Sequence, residues 1–190
     1  MAAPWPQWLV NSFESANQPQ FATDESVYYG PYIRLLYHLF GGIEGPFEIA
    51  PQYHIPETPR HVIDIVTLFI VQHNKHPVFF IEVKPRASIA LDSKRKQADD
   101  QMRERFRDLR PNIVTPRLSG ISAFGTQIAF YEYVAATKTL TPRAFTPDPT
   151  FLDDMAPADR WNYDLLEADG TARMRQVAQD VIAMCQALNN

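Results

Sequence analysis

The chain has 190 residues, 45% of them hydrophobic and 12% aromatic, enough for one domain with a dense core but cramped for two. A formal charge of −4 excludes a molecule that holds nucleic acid by overall electrostatics, because that affinity comes from Lys and Arg against phosphates. The single cysteine, Cys185, excludes an internal disulfide; with no signal-like N-terminus and no apolar run of membrane-spanning length, the expectation is a soluble intracellular protein with no membrane attachment.

Residues 1–23 carry Pro4, Pro6 and Pro19 among Asn, Gln and Ser and read as an irregular lead-in, with Trp5, Trp8 and Leu9 as candidates to dock on the body. From Pro31, the spacing of Ile33, Leu35, Leu36, Leu39 and Phe40 predicts a helix closed by Gly41-Gly42. Residues 47–55 read as a short strand. Residues 62–71 and 77–83 read as two stronger strands, apolar on both faces as central strands are. The polar segment 72–76 between them suits a hairpin, so those two strands should be antiparallel neighbours.

Residues 93–109 contain no Pro or Gly and place Ala98, Met102, Phe106 and Leu109 at helical spacing, with Asp92 or Ser93 as the N-cap. Residues 120–124 and 126–134 form a strand pair around Gly125, and the four prolines of 142–157 mark a surface linker. A last helix over 172–188 carries the stripe Val177, Val181, Met184, Cys185 and Leu188.

The feature that points to chemistry is Asp64 inside the apolar run Val62-Ile63-Asp64-Ile65-Val66, since an ionised carboxylate in a buried strand is costly unless a cation or dense hydrogen bonding compensates it. Glu82 and Lys84 end the following strand, and the strand period of two sends both to one face and Val83 to the other. A hairpin turn centred on His73 sets Asp64 opposite Glu82; a turn nearer Lys75 moves its partner to Lys84 or slightly beyond. Two such carboxylates repel unless they share a proton or a metal, and an all-oxygen pair suits Mg²⁺ or Mn²⁺, whereas His54, His61, His73 and His76 have no ligand spacing that would suggest zinc.

Asp64, seventeen intervening residues, then Glu82-Val83-Lys84, and next a helix with Gln97 and Gln101 followed by a strand pair: this succession resembles the PD-(D/E)XK nuclease-like superfamily. The resemblance implies an α/β restriction endonuclease-like core over residues 24–137 (helix, three strands, helix, strand pair) around a mixed central sheet. Residues 138–190 are then a Pro-rich linker and a C-terminal helical extension packed on the core. It further implies that Asp64, Glu82 and the Val83 backbone carbonyl hold the metal, that Lys84 serves the attacking water, that Gln97 or Gln101 faces the site, and that Glu25 is a candidate extra acid. Ile63 stands where the motif has proline.

The expected function is therefore divalent-metal-dependent hydrolysis of nucleic-acid phosphodiesters. The nucleic acid would be held by the basic region from Lys84 to Arg117, where ten of the eighteen Lys and Arg fall against five acids. Each feature has a plainer reading. Glu-x-Lys is common as a salt bridge on a solvated strand, and the basic region also reads as a helix face paired with Asp99, Asp100, Glu104 and Asp108. The corresponding alternative function is a catalytically inactive nuclease-like fold that acts as a protein-binding or structural module, with a protein partner or a homo-oligomer as the expected assembly. Metal-assisted hydrolysis of a nucleotide or small phosphate ester is a third.

Overall fold

The structure, a computed structural model, describes residues 4–42, 44–51, 68–145 and 155–188. It is an α/β arrangement of four helices, α1 (Gln7–Ala16), α2 (Tyr29–Leu39), α3 (Asp92–Leu109) and α4 (Ala168–Ala187), on a mixed sheet. The strands are β1 (Phe47–Ala50), β2 (Leu68–His73), β3 (His76–Lys84), β4 (Arg117–Phe124), β5 (Gln127–Val134), β6 (Thr139–Thr141) and β7 (Tyr163–Asp164). Strands β1 to β6 lie side by side in chain order, with β7 also on β5. All pairings are antiparallel except β3 with β4, which are parallel and joined across α3.

Alternation along the central strands divides the interior in two. Phe79, Ile81, Val83, Ile121, Ala123 and Ile128 face a core shared with α1, α2 and α4. Phe80, Leu118, Phe124, Ala129 and Tyr131 face the other way, onto Ala98, Met102, Phe106 and Leu109 of α3 and onto Trp161. Because both faces are covered, residues 77–83 of β3 are all buried, which accounts for an apolar run with no polar alternation.

Residues 4–23 hold a regular helix where an irregular lead-in was expected. Pro6 precedes a ten-residue helix whose Leu9, Phe13 and Ala16 fall on one buried stripe; the polar residues between them had masked its periodicity. Trp5 and Leu9 dock as expected, Trp5 through its indole nitrogen on the Leu165 carbonyl at 2.7 Å, while Trp8 is about half exposed. Helix α3 begins at Asp92 with no side-chain cap; Asp92 pairs with Arg95 in the first turn instead. Residues 138–190 are more than a linker and a helix, since β6 and β7 both add to the β5 edge. Trp161 is buried against Phe124, and α4 starts four residues earlier than its apolar stripe suggests.

The hairpin between β2 and β3 turns through Asn74 and Lys75, both with positive φ, as a tight two-residue connection requires. This turn and an irregularity between Val71 and Gln72 set the register, which pairs Leu68 with Glu82. Of the two registers the sequence allowed, this is the one with the turn nearer Lys75, so the pairing of Asp64 with Glu82 that a turn centred on His73 would give is corrected. Asp64 itself lies outside the described residues, as does most of the strand expected at 62–71.

Gly120 on β4 is a close-packing position, since a Cβ there would lie 2.6 Å from Phe80 Cζ and 3.0 Å from Phe106 Cζ. Those two rings meet edge to face with centroids 4.8 Å apart. Gly120→Ala should therefore destabilise the fold by about 1–3 kcal/mol through overpacking. Gly30→Ala, in open space on α2, should be neutral or stabilising by up to about 1 kcal/mol. Urea unfolding midpoints of the two variants check both signs.

Candidate active site

Strand β3 ends at Lys84 because Pro85 follows, with no amide hydrogen to continue the ladder. The chain then makes a 3₁₀ turn over Arg86–Ala90 and enters α3. Glu82, two residues before the strand end, pairs in register with Leu68 of β2 and Ser122 of β4, on the face covered by α3. Glu82 is 1% exposed, and neither carboxylate oxygen has a hydrogen-bond partner. Leaving such a group unsatisfied costs on the order of 1–3 kcal/mol or more for a charge.

Two cations offset that cost. Lys84 Nζ is 3.1 Å from Glu82 Oε1, so the face shared by Glu82 and Lys84 is as the strand period predicts. Arg105 Nε, brought over the sheet by α3, is 3.6 Å from Oε2. Arg105 Nε itself makes no hydrogen bond, and one turn earlier on the same helix the Gln101 Oε1 is also buried without a partner. The site thus concentrates unsatisfied polar atoms on one carboxylate and the helix row above it. Hydrogen-bond capacity of this kind suits a ligand that contributes both a cation and polar oxygens.

Of the residues expected from sequence, Glu82 and Lys84 meet, and Gln101 lies on the same helix as their other partner, Arg105. Gln97 does not join them: it is exposed and accepts a bond from Lys94 at 3.3 Å. Val83 points its side chain into the opposite core and lies one residue beyond the last described β2–β3 pair. Glu25 accepts a bond from the Tyr29 hydroxyl at 3.2 Å. Arg105 was missed by sequence reasoning; its only signal was a spacing of four from Gln101, lost among ten basic residues. Among the described residues no three His, Cys, Asp or Glu side chains cluster so as to hold a metal. The donors that fit a hard divalent ion are the two free oxygens of Glu82, which would need Asp64 beside them.

The basic region is largely compensated from within. Lys96 pairs with Asp100, Arg107 with Glu104 and Asp108, and Arg117 with Glu132. Arg110 stacks over Tyr133. Asp99, 5% exposed, is the hub of a saturated network: Arg103 grips it through two bonds of 2.8 and 3.0 Å, Tyr131 donates to it at 2.7 Å, and Arg160 pairs with it. Burial, and then the Asp99 charge, hold the Tyr131 phenol well above its ordinary range, so it stays a donor. Comparison with family models, with curated proteins and with solved structures finds no match for the chain.

If Glu82 and Arg105 form a working ion pair, a double-mutant cycle of Glu82→Gln and Arg105→Gln in metal-free buffer should return a coupling of about 0.5–3 kcal/mol. Additive effects in denaturant unfolding would show the pair to be electrostatically idle.

Proposed function

We propose that the chain is a divalent-metal-dependent nuclease of the PD-(D/E)XK kind, centred on Glu82 and Lys84 with Asp64 as the second carboxylate. The observation that carries this reading is the Glu82 carboxylate. It is buried near the end of a central strand, both oxygens lack hydrogen bonds, and a lysine stands 3.1 Å away on the same face. Support also comes from the succession from α2 onward, a helix, three strands, a helix and a strand pair on a mixed sheet, which is the order that the sequence resemblance implies.

Mg²⁺ or Mn²⁺, when bound, would polarise the scissile phosphate and lower the pKa of a bound water. Glu82, Asp64 and the Val83 carbonyl would hold the ion. Lys84, its side chain 18% exposed, would orient the attacking water and offset charge growing on the phosphate. Gln101 would accept a hydrogen from that water or from substrate. The nucleic acid would lie along the outer face of α3, exchanging exposed ion pairs, each weak on its own, for phosphates.

The second reading, an inactive nuclease-like fold acting as a binding module, is favoured by the two cations that already balance Glu82. The test is cleavage of plasmid DNA, single-stranded DNA, RNA and a mononucleotide ester with Mg²⁺ or Mn²⁺, beside an EDTA control. Activity should disappear in EDTA and fall by about 10²-fold or more in Lys84→Ala. Glu82→Gln and Asp64→Asn should also lose it while keeping the wild-type circular dichroism. A folded wild type that cuts none of the four would leave the binding module as the function.

A further inference from the structure

We propose that Arg105 is a stand-in cation that holds the Glu82 carboxylate when no divalent ion is bound and competes with the ion for its Oε2 oxygen. This rests on the reading of Glu82 as a metal ligand, and it makes metal affinity a property that α3 sets rather than one fixed by the carboxylates alone.

Helix α3 carries two buried arginine–carboxylate pairs for comparison. Arg103 and Asp99 make a fork of two short hydrogen bonds, 2.8 and 3.0 Å, one to each oxygen, and Tyr131 and Arg160 both add to Oδ1. That is how a permanent structural pair is built, because every buried polar atom is satisfied. Two residues along the helix, Arg105 and Glu82 are close enough to attract, at 3.6 Å, but the Arg105 Nε and both Glu82 oxygens are left without hydrogen bonds. The same helix and the same residue types thus give one closed pair and one open pair. Displacing the guanidinium from an open pair breaks no hydrogen bond at the carboxylate, and an arriving cation restores the attraction that is lost.

Charge decides what can enter. Lys84 and Arg105 together place two positive charges beside the one negative charge of Glu82. A divalent ion arriving there meets repulsion from both. Relief requires that one cation withdraw. Arg105 is the more loosely held of the two, 3.6 Å from its oxygen against 3.1 Å for Lys84, and its Nε makes no hydrogen bond that withdrawal would break. Lys84 is closer to its oxygen and stays with the carboxylate. Binding of the ion and retention of Arg105 on Oε2 are therefore mutually exclusive, with the coupling carried by one carboxylate oxygen.

The experiment is calorimetric titration of Mn²⁺ into the full chain as wild type, Arg105→Gln, Arg105→Lys and Glu82→Gln, together with thermal unfolding of each with and without Mn²⁺. Arg105→Gln should bind Mn²⁺ about tenfold more tightly than wild type, the scale of a typical coupling between competing ligands. Arg105→Lys should fall between them, and Glu82→Gln should not bind. Without Mn²⁺ the Arg105→Gln protein should melt below wild type, and saturating Mn²⁺ should close the gap, because the ion replaces the missing cation. A purely structural arginine would leave that gap the same with and without Mn²⁺.

Equal or weaker Mn²⁺ binding by Arg105→Gln, with binding still lost in Glu82→Gln, would overturn the competition while leaving Glu82 as a ligand. Absence of binding in every variant would overturn both. Should Arg105→Gln be unfolded alone, recovery of its structure on adding Mn²⁺ supports the proposal, and failure to recover counts against it.

Discussion

Strands β3 and β4 run parallel and adjacent, and this one pairing dictates most of what surrounds it. Parallel neighbours cannot be joined by a tight turn, so the chain must leave one end of the sheet, cross a face and return to the other end. Residues 85–116 make that crossing, and α3 is its body. The crossing gives β3 a cover on its second face and so permits its apolar run. It also carries Arg105 to Glu82, a residue distant in sequence. Antiparallel steps on either side of this pair, β2 to β3 and β4 to β5, need only the short connections Asn74-Lys75 and Gly125-Thr126.

Around that crossing the protein handles buried charge in two ways. At Asp99 both oxygens are hydrogen-bonded, and the network binds α3 to the segment that follows β6: Arg103 reaches the Pro142 carbonyl, Arg95 the Ala156 carbonyl, and Arg160 the carboxylate itself. At Glu82 the charges are matched but the hydrogen bonds are missing. Among the described residues, four of the five buried side-chain atoms without a hydrogen bond lie on Glu82, Gln101 and Arg105, the fifth being Arg175 Nε on the other side of the sheet, and such groups in a native fold call for a reason. The two clusters also explain why a basic segment sits on an acidic protein. Most of its cations are engaged in holding the molecule together.

The C-terminal part belongs to the same construction. Trp161 donates its indole N–H to Ser122, the β4 partner of Glu82, and packs against Phe124. On the opposite face α4 buries Val177, Val181 and Cys185 against α2 and the sheet, and its Arg175 stacks over Trp5 at 4.3 Å. Burial pushes the Cys185 thiol up to about 11, so it behaves as an apolar core residue. Helices α1 and α4 therefore share one side of the sheet while the candidate site occupies the other.

What the sequence determined by itself is what local periodicity can encode: α2, α3 and α4, the alternation that puts Glu82 and Lys84 on one face, the β4–β5 turn at Gly125, and the pairing of the acids of α3 with their arginines and lysines three or four residues away. Helix α1 was equally local, but its stripe was broken up by polar residues and hidden behind prolines. What only the tertiary structure decided is everything set by register and crossing: Leu68 rather than Asp64 opposite Glu82, Gln97 turned to solvent, Trp161 buried next to the site, and Arg105 laid against the Glu82 carboxylate. Side-chain periodicity follows from backbone geometry within one element. A turn that shifts by one residue, or a helix that rotates on its sheet, changes which distant residues meet without altering that periodicity.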